Sequence, residues 1–438
     1  MPRVLIVTSM FLPYLAADMH RARLLATELP AQGWEVELLV PGDAFQNAAH
    51  FQPDAELLEV AVPVHRAEPE WRWVFASLNA RSLGTRAYRS LRRLGDTLLS
   101  SGRFDLVYIS CSQHAFFHLG VGWKRRHHIP YVLDFHDPWY TERLPPATHL
   151  AGFRRMLANR LARGMESAAL RHACGLVSVS LTYLETLNAR YRGSDWLALQ
   201  PHRQAVVPFA ASDRDYVAAG QLACTEIDED SMGNRTIVYA GAGGTIMEES
   251  FRHLCRLLLE VRRREPLLLA AVRIQLFGTE GYAAGPTPTL TRVAEEAGLA
   301  GLVSEFPARV SYLEALRRVT EADGLLVLGI DSAGYNPSKL FLYGATGKPL
   351  LACLRAGSVV DEYFRQSPEL GHLVHFGGAG TCDFESVIAF LREVSGRGAP
   401  SREGVRKRWL GEEMARRHAE FFRECLRNAS GNPGVACA

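Results

Sequence analysis

No C-x-x-C pair occurs in this chain: its eight cysteines are scattered over 438 residues, several of them inside apolar runs. A zinc or redox centre of that type is excluded, and the thiols read as reduced core residues of a cytoplasmic protein. Long apolar runs are missing as well. None approaches the ~20 residues that a membrane-crossing helix needs, so any membrane contact is expected to be peripheral. Charge of one sign is not in excess either. Lys and Arg number 49 and Asp and Glu 47, a net +2, which sets up no overall field to attract nucleic acid. No G-x-G-x-x-G follows the first strand-like run of either half, which argues against a nicotinamide dehydrogenase. Near the strand ends where a ligand would bind there is no carboxylate pair and no Cys and His cluster with metal-ligand spacing, so neither a metal nor another cofactor is expected.

What is present is a long alternation. From residue 3 to about 209, β-branched apolar runs ("RVLIVTS", "EVELLV", "FDLVYISC", "IPYVLDF", "GLVSVS", "AVVPF") alternate with helical patterns. The opening "MPRVLIVTSMFLPYLAA" has the outline of a signal peptide, but Thr8, Ser9 and Pro13 interrupt it and a buried first strand is expected. A second series runs through "TIVYAG", "VRIQLFG", "GLLVLGI", "PLLACL" and "HLVHF". Continuous apolar strands are covered on both faces, which predicts an α/β protein with two mainly parallel sheets and crossover helices. Residues 1–211 are expected to form the first domain, 212–234 a polar linker and 235–402 the second domain. A charged amphipathic helix is expected near 403–428 and a disordered tail at 429–438. Ser311 and Glu314 in "SYLE" form a capping-box signature.

Ligands of such sheets bind where strands end and helices begin. Three stretches occupy that place. In "GYNPSKLFLYGATGKPLLA", residues 334–352, Asn336 suits an N-cap, Pro337 the first helical position and Gly347 a left-handed stop. The N–H groups of Ser338, Lys339 and Leu340 would then lie beside a lysine at the positive end of a helix, an anion site. An ordinary capped helix with a surface lysine is the alternative reading of this segment. "GAGGT", residues 241–245, follows the first strand of the second half, where Gly243 and Gly244 can let a diphosphate approach the backbone, and Gly278 in "LFGTEG" occupies an equivalent loop. His136 and Asp137 in "DFHDPWY" follow a strand of the first half. The bland reading makes His136 a loop cap and Asp137 the N-cap of the next helix.

Taken together, "FLPYLAADMHRARLLATELPAQGWEVELLVP", "IPYVLDFHDPWY", "GLVSVSLTYLETL" and "NPSKLFLYGATGKPLLA" resemble, in order, segments of family 4-like glycosyltransferases of the GT-B fold. The resemblance implies two Rossmann-like domains facing a cleft, with the nucleotide sugar on the C-terminal one, the acceptor on the N-terminal one, and a terminal helix that crosses back to the first domain. It implies a metal-independent, retaining transfer from a nucleoside diphosphate sugar, a UDP-sugar by family frequency. The acceptor is a glycan, lipid-linked molecule or natural product. In that scheme Lys339 neutralises the leaving diphosphate and His136 faces the transferred sugar or the acceptor. Gly243, Gly244, Gly278, Asn336, Ser338, Lys339, Leu340 and Leu342 form the donor side, and Ala16, Ala17, His136 and Asp137 the acceptor side.

The departures are as informative. Ala16 and Ala17 stand where relatives have a glycine pair, Ala242 and Met247 where many have Arg and Lys, and Phe209 and Ala210 where an Asn-Gly turn is common. Gly334 and Leu342 replace the two glutamates spaced eight apart. An inactive glycosyltransferase-like binding protein and a GT-B-fold sugar nucleotide epimerase are therefore the alternatives. The basic segment "WRWVFASLNARSLGTRAYRSLRRLG" could meet an anionic acceptor or lipid headgroups; the competing reading is a solvated helix face whose Trp71, Trp73 and Leu91 enter the core.

Overall fold

A computed structural model describes residues 1–45, 54, 56–69, 83–137, 139, 149–222, 234–280, 287–332, 334–378, 383–396 and 402–430. The chain divides into two compact units. One comprises Met1–Ala55, Glu59–Pro208 and Gly411–Ala438, the other Glu56–Leu58 and Phe209–Leu410.

The first unit is built on seven strands, β1 (Arg3–Val7), β2 (Glu35–Pro41), β3 (Val64–Ala67), β4 (Leu106–Ser110), β5 (Tyr131–Phe135), β6 (Gly175–Ser178) and β7 (Gln204–Val206). All neighbours pair in parallel, in the order β3-β2-β1-β4-β5-β6-β7. Parallel neighbours need a crossover, and the helices that supply it bury both faces of the sheet. Val4 to Val7 and Leu106 to Ile109 are accordingly inaccessible to solvent. The second unit repeats the scheme with β8 (Arg235–Ala240), β9 (Val272–Phe277), β10 (Val303–Phe306), β11 (Gly324–Leu328), β12 (Leu350–Arg355) and β13 (His372–Phe376), in the order β10-β9-β8-β11-β12-β13. This is the doubly wound arrangement, with its winding reversed between β8 and β11. The five cysteines among the described residues, Cys111, Cys174, Cys255, Cys353 and Cys425, are buried and unbridged.

Several boundaries differ from expectation. The polar stretch expected as a linker contains the helix Asp213–Gly220, capped by Ser212, whose side chain accepts from the Asp215 N–H. Ala219 of that helix packs with Leu313 and Leu316 of the helix Tyr312–Glu321, so the helix Asp213–Gly220 packs within the second unit. Ser311 caps the latter helix through the Glu314 N–H at 3.2 Å. The Glu314 carboxylate turns to Arg317 and Arg318 instead of completing the box. The single terminal helix near 403–428 is two helices, Glu403–Arg408 and Gly411–Ser430. Between them the Trp409 carbonyl accepts from the Ala211 N–H at 2.7 Å, and the Trp409 ring lies 5.1 Å from that of Phe341, which holds the break in place. Trp71, Trp73 and the tail 431–438 lie outside the described residues, whereas Leu91 is fully buried.

The helix Gly411–Ser430 belongs to the first unit, and a buried polar cluster ties it there. Asp134, in β5, is inaccessible to solvent. Its Oδ2 accepts from the Tyr108 hydroxyl at 2.6 Å and the Ser110 hydroxyl at 2.8 Å, and lies 2.8 Å from His136 Nε2 and 3.0 Å from Arg21 Nε. Arg21 also donates to the Val207 carbonyl at 2.7 Å. On the other side of Tyr108, its hydroxyl stands 3.0 Å from His418 Nε2, while His418 Nδ1 donates to the Met414 carbonyl at 2.8 Å. Burial alone would raise the Asp134 carboxyl; Arg21 and His136 overcome that and hold it well below the usual carboxylate range. Burial, with help from Arg21, lowers His418 to about 3. Gly175 permits the close approach of this helix to β6, since a Cβ there would stand 2.6 Å from Cys425 Sγ.

Two outcomes follow for stability. Asp134→Asn breaks the buried Arg21–Asp134 ion pair and should cost about 3–5 kcal/mol in urea unfolding of the first unit. His418 is held neutral when folded but binds a proton near pH 6.5 when unfolded, so its contribution is complete above pH 6.5 and is lost as pH falls toward about 3. Urea midpoints should therefore decline on acidification across that window, and less steeply in His418→Gln. His114, His118 and His172, also lowered mainly by burial, keep that slope from vanishing.

Candidate functional site

In the second unit the chain leaves β8 and β11 in opposite directions, and the loops that follow these two strands define the crevice of the sheet. The loop after β11 leads into the helix Lys339–Gly344. Tyr343 pins that helix to β8: its hydroxyl accepts from the Ala240 N–H at 2.9 Å and donates to the Ala240 carbonyl at 3.1 Å. The loop after β8 passes directly over Lys339. Gly241 has φ +132°, and a Cβ there would stand 2.1 Å from Lys339 Cε, so the lysine stem occupies space that only glycine leaves open.

The Lys339 ammonium rests on Tyr239. Nζ lies 5.0 Å from the ring centroid and donates to the phenolic oxygen at 3.2 Å. No carboxylate pairs with it among the described residues. By surface area the side chain is only half-buried, yet protein crowds it closely enough to weaken its hydration, and this desolvation lowers its pKa to about 8. A cation with spare donors and no counter-ion, at the switch point of a doubly wound sheet, is suited to an anionic ligand.

The other expected donor-side residues divide. The helix does not begin at Pro337: Ser338 occupies the N-cap position with no side-chain cap bond, and the Leu340 N–H is taken by the Pro337 carbonyl at 3.0 Å. Leu340 is fully buried and offers no donor, which corrects its expected role. At six residues the helix contributes less to anion binding than its lysine does. Asn336 caps nothing; its amide oxygen and nitrogen are buried and have no hydrogen-bond partner among the described residues. Gly347 has the expected left-handed φ of +70°. The Gly243 N–H is committed to the Thr279 carbonyl at 3.2 Å and the Gly278 N–H to the Phe306 carbonyl at 2.8 Å, so neither amide is open to a phosphate. Gly244, at φ +65°, opens the short turn Gly244–Met247. Met247, which stands where relatives have a cation, is core. Leu342 is half-buried, and its carbonyl accepts from the Tyr216 hydroxyl.

In the first unit, His136 sits at the end of β5 with its Nε2 facing Asp134 and, at 3.1 Å, the Ser110 hydroxyl. It is only 4% exposed and belongs to the buried polar cluster, not to a loop cap. Asp137 is exposed, and its carbonyl lies 3.0 Å from His114 Nε2; residues 138 and 140–148, where a helix capped by it would run, lie outside those described. Ala16 takes the N-cap position of the helix Ala17–Glu28 without a side-chain bond, and Ala17 is exposed. Sequence reading passed over Asp18. Its buried carboxylate accepts from the Ser9 hydroxyl and, at 3.4 Å, from the Ser112 N–H, joining the loops after β1 and β4. It also passed over Tyr239 and Tyr343. The spacing of Asp18 from Ser9 carries no pattern, but a tyrosine at the end of an otherwise aliphatic strand was a usable signal.

Comparison with known proteins agrees with this architecture. Residues 20–210 match the model of the glycosyl transferase 4-like domain. Comparison with curated proteins finds no match. Among solved structures, Anabaena Alr3699/HepE in complex with UDP aligns over 96% of this chain and 99% of its own at 13% identity, with a TM-score of 0.56. The same protein with UDP-glucose gives 0.53 at 14% identity over 96% and 99% of the two chains. A Listeria monocytogenes protein assigned as a UDP-N-acetylglucosamine 2-epimerase aligns over 97% of both chains at 11% identity, with a TM-score of 0.51. At such identities the likeness speaks for the fold. The chain thus has the GT-B fold, and its residues 20–210 are similar to the glycosyl transferase 4-like domain.

Proposed function

We propose that this protein is a glycosyltransferase that takes a sugar from a nucleoside diphosphate donor, with Lys339 at the diphosphate, and passes it to a hydroxyl of a glycan, lipid-linked or small-molecule acceptor. The observation that carries the reading is the Lys339 ammonium, seated on Tyr239 at the β8/β11 switch point with no carboxylate paired to it among the described residues. As the bond from the anomeric carbon to the diphosphate oxygen breaks, negative charge grows on that oxygen, and a fixed cation beside it lowers the barrier. Retention follows the family resemblance, with a donor phosphate oxygen taking the acceptor proton, and Lys339 takes the place of a divalent metal. Uridine is the base inferred from the Anabaena protein, which binds UDP and UDP-glucose.

A second reading has one observation in its favour, the likeness of the fold to the Listeria epimerase. It acts on a sugar nucleotide with no acceptor. Incubation with UDP-sugars and EDTA, with and without pooled glycan and lipid acceptors, separates the two. Release of UDP with a product heavier than the acceptor by one sugar is the expected result. A mass-neutral change in the donor without acceptor would favour the epimerase, and turnover that EDTA abolishes and magnesium or manganese restores would sink the role given to Lys339.

Two further outcomes test the donor site. Lys339→Ala should weaken UDP binding at least tenfold in calorimetry, because a hydrogen bond to a charged group contributes about 1.5–3 kcal/mol. In the wild type, affinity should fall as pH rises through about 8, since the free lysine loses there the proton that the diphosphate needs; Lys339→Arg should flatten that profile.

Leu342 lies in the same short helix as Lys339, at the position where relatives carry a glutamate that accepts from ribose hydroxyls. Leu342→Glu should tighten UDP binding severalfold, and deoxyribose analogues should erase the gain. Weaker binding by a folded variant would mean that the nucleotide lies elsewhere.

A further inference from the structure

A lysine that binds anions is commonly held by a carboxylate, which fixes its position but spends its charge. Lys339 is held differently. Beneath it lies Tyr239, a residue of β8 with no solvent exposure. The phenolic proton of Tyr239 is directed to the Ala242 carbonyl, so the oxygen presents a lone pair to Nζ at 3.2 Å, with the ring centroid 5.0 Å from the same atom. The lone pair favours the ammonium over the free amine, and the phenol carries no formal negative charge. Gly241 closes the seat from above, where any side chain would collide with the lysine stem. The other titratable groups around Tyr239 are the phenols of Tyr335 and Tyr343, both raised mainly by burial and therefore neutral, the former to about 12.

We propose that Tyr239 is the positioning residue of the diphosphate site: a neutral seat that fixes the Lys339 ammonium by its phenolic oxygen and leaves its charge uncompensated for the donor. The proposal rests on the reading of Lys339 as the diphosphate contact, but the seat can be measured without any ligand. The chain has only four lysines, Lys124, Lys339, Lys348 and Lys407. Labelling lysine with carbon-13 at Cε therefore gives four signals, and Lys339→Arg identifies the one that matters.

In the full-length wild type the Lys339 ε-methylene signal should stand apart from those of the other three lysines, shifted by the phenol beside it, and should titrate near pH 8. Tyr239→Phe keeps the ring and removes the acceptor. It should lower the Lys339 inflection by about one pH unit or more at unchanged thermal stability, and weaken UDP binding at pH 7.5 severalfold. A merely structural tyrosine would alter stability and leave the inflection in place. An unshifted wild-type signal overturns the proposal, as does an inflection that Tyr239→Phe does not move. The first of these measurements needs no variant, so it holds even if Tyr239→Phe fails to fold. A seat confirmed on both counts, with a Lys339 signal indifferent to UDP, would support the seat and defeat the donor-site reading instead.

Discussion

Parallel pairing of strands is the constraint from which the rest of this molecule follows. A strand can lie parallel to its neighbour only if the chain returns over one face of the sheet, so every pairing in both units demands a crossover. Those crossovers bury both faces and leave only the strand ends to meet a ligand. Reversal of the winding beside the first strand of each sheet then separates the loops after β1 and β4, and again those after β8 and β11. Ser9, Asp18 and Ser112 gather at these loops in one unit, and Gly241 and Lys339 in the other.

The two units treat charge in opposite ways. In the first, the Asp134 carboxylate is placed in a dry sheet and surrounded by Arg21, Tyr108, Ser110 and His136. Such a cluster offsets the desolvation of its members only when complete, which makes it a device for fixing geometry more than for adding stability. In the second, Lys339 is crowded by protein but given a neutral partner. Its charge is retained at some cost in hydration, which a bound anion would recover. The first arrangement organises the fold; the second holds a cation that no carboxylate pairs with among the described residues.

How much of this was legible in the sequence depended on the range of the forces involved. Both sheets could be read because each strand is a local run of apolar residues, and Gly347 because its turn is decided by its own backbone. Asn336 does not cap, for a nearby reason: a good capping side chain acts only if the chain turns into a helix beside it, and here the helix waits until Lys339. His136 was noticed as a residue after a strand, but its place in a buried cluster depends on Arg21, Tyr108 and His418, far apart in sequence. The segment 212–234 looked like a linker because it is polar on average, although Tyr216 and Ala219 suffice to dock its helix. Averages over composition conceal a short contact face.

The membership of Gly411–Ser430 in the first unit has a consequence for the order of events during synthesis. Domains complete themselves as they leave the ribosome, N-terminal ones first. Here the second unit is contained almost entirely in residues 209–410, whereas the first lacks one of its walls until the last helix emerges. Until then Trp34, Tyr108 and Gly175 have no Phe422, His418 or Cys425 against them. The half of the protein that is translated first is therefore the half that is finished last, and its open flank must be kept from wrong partners for the whole time that the second half is being made.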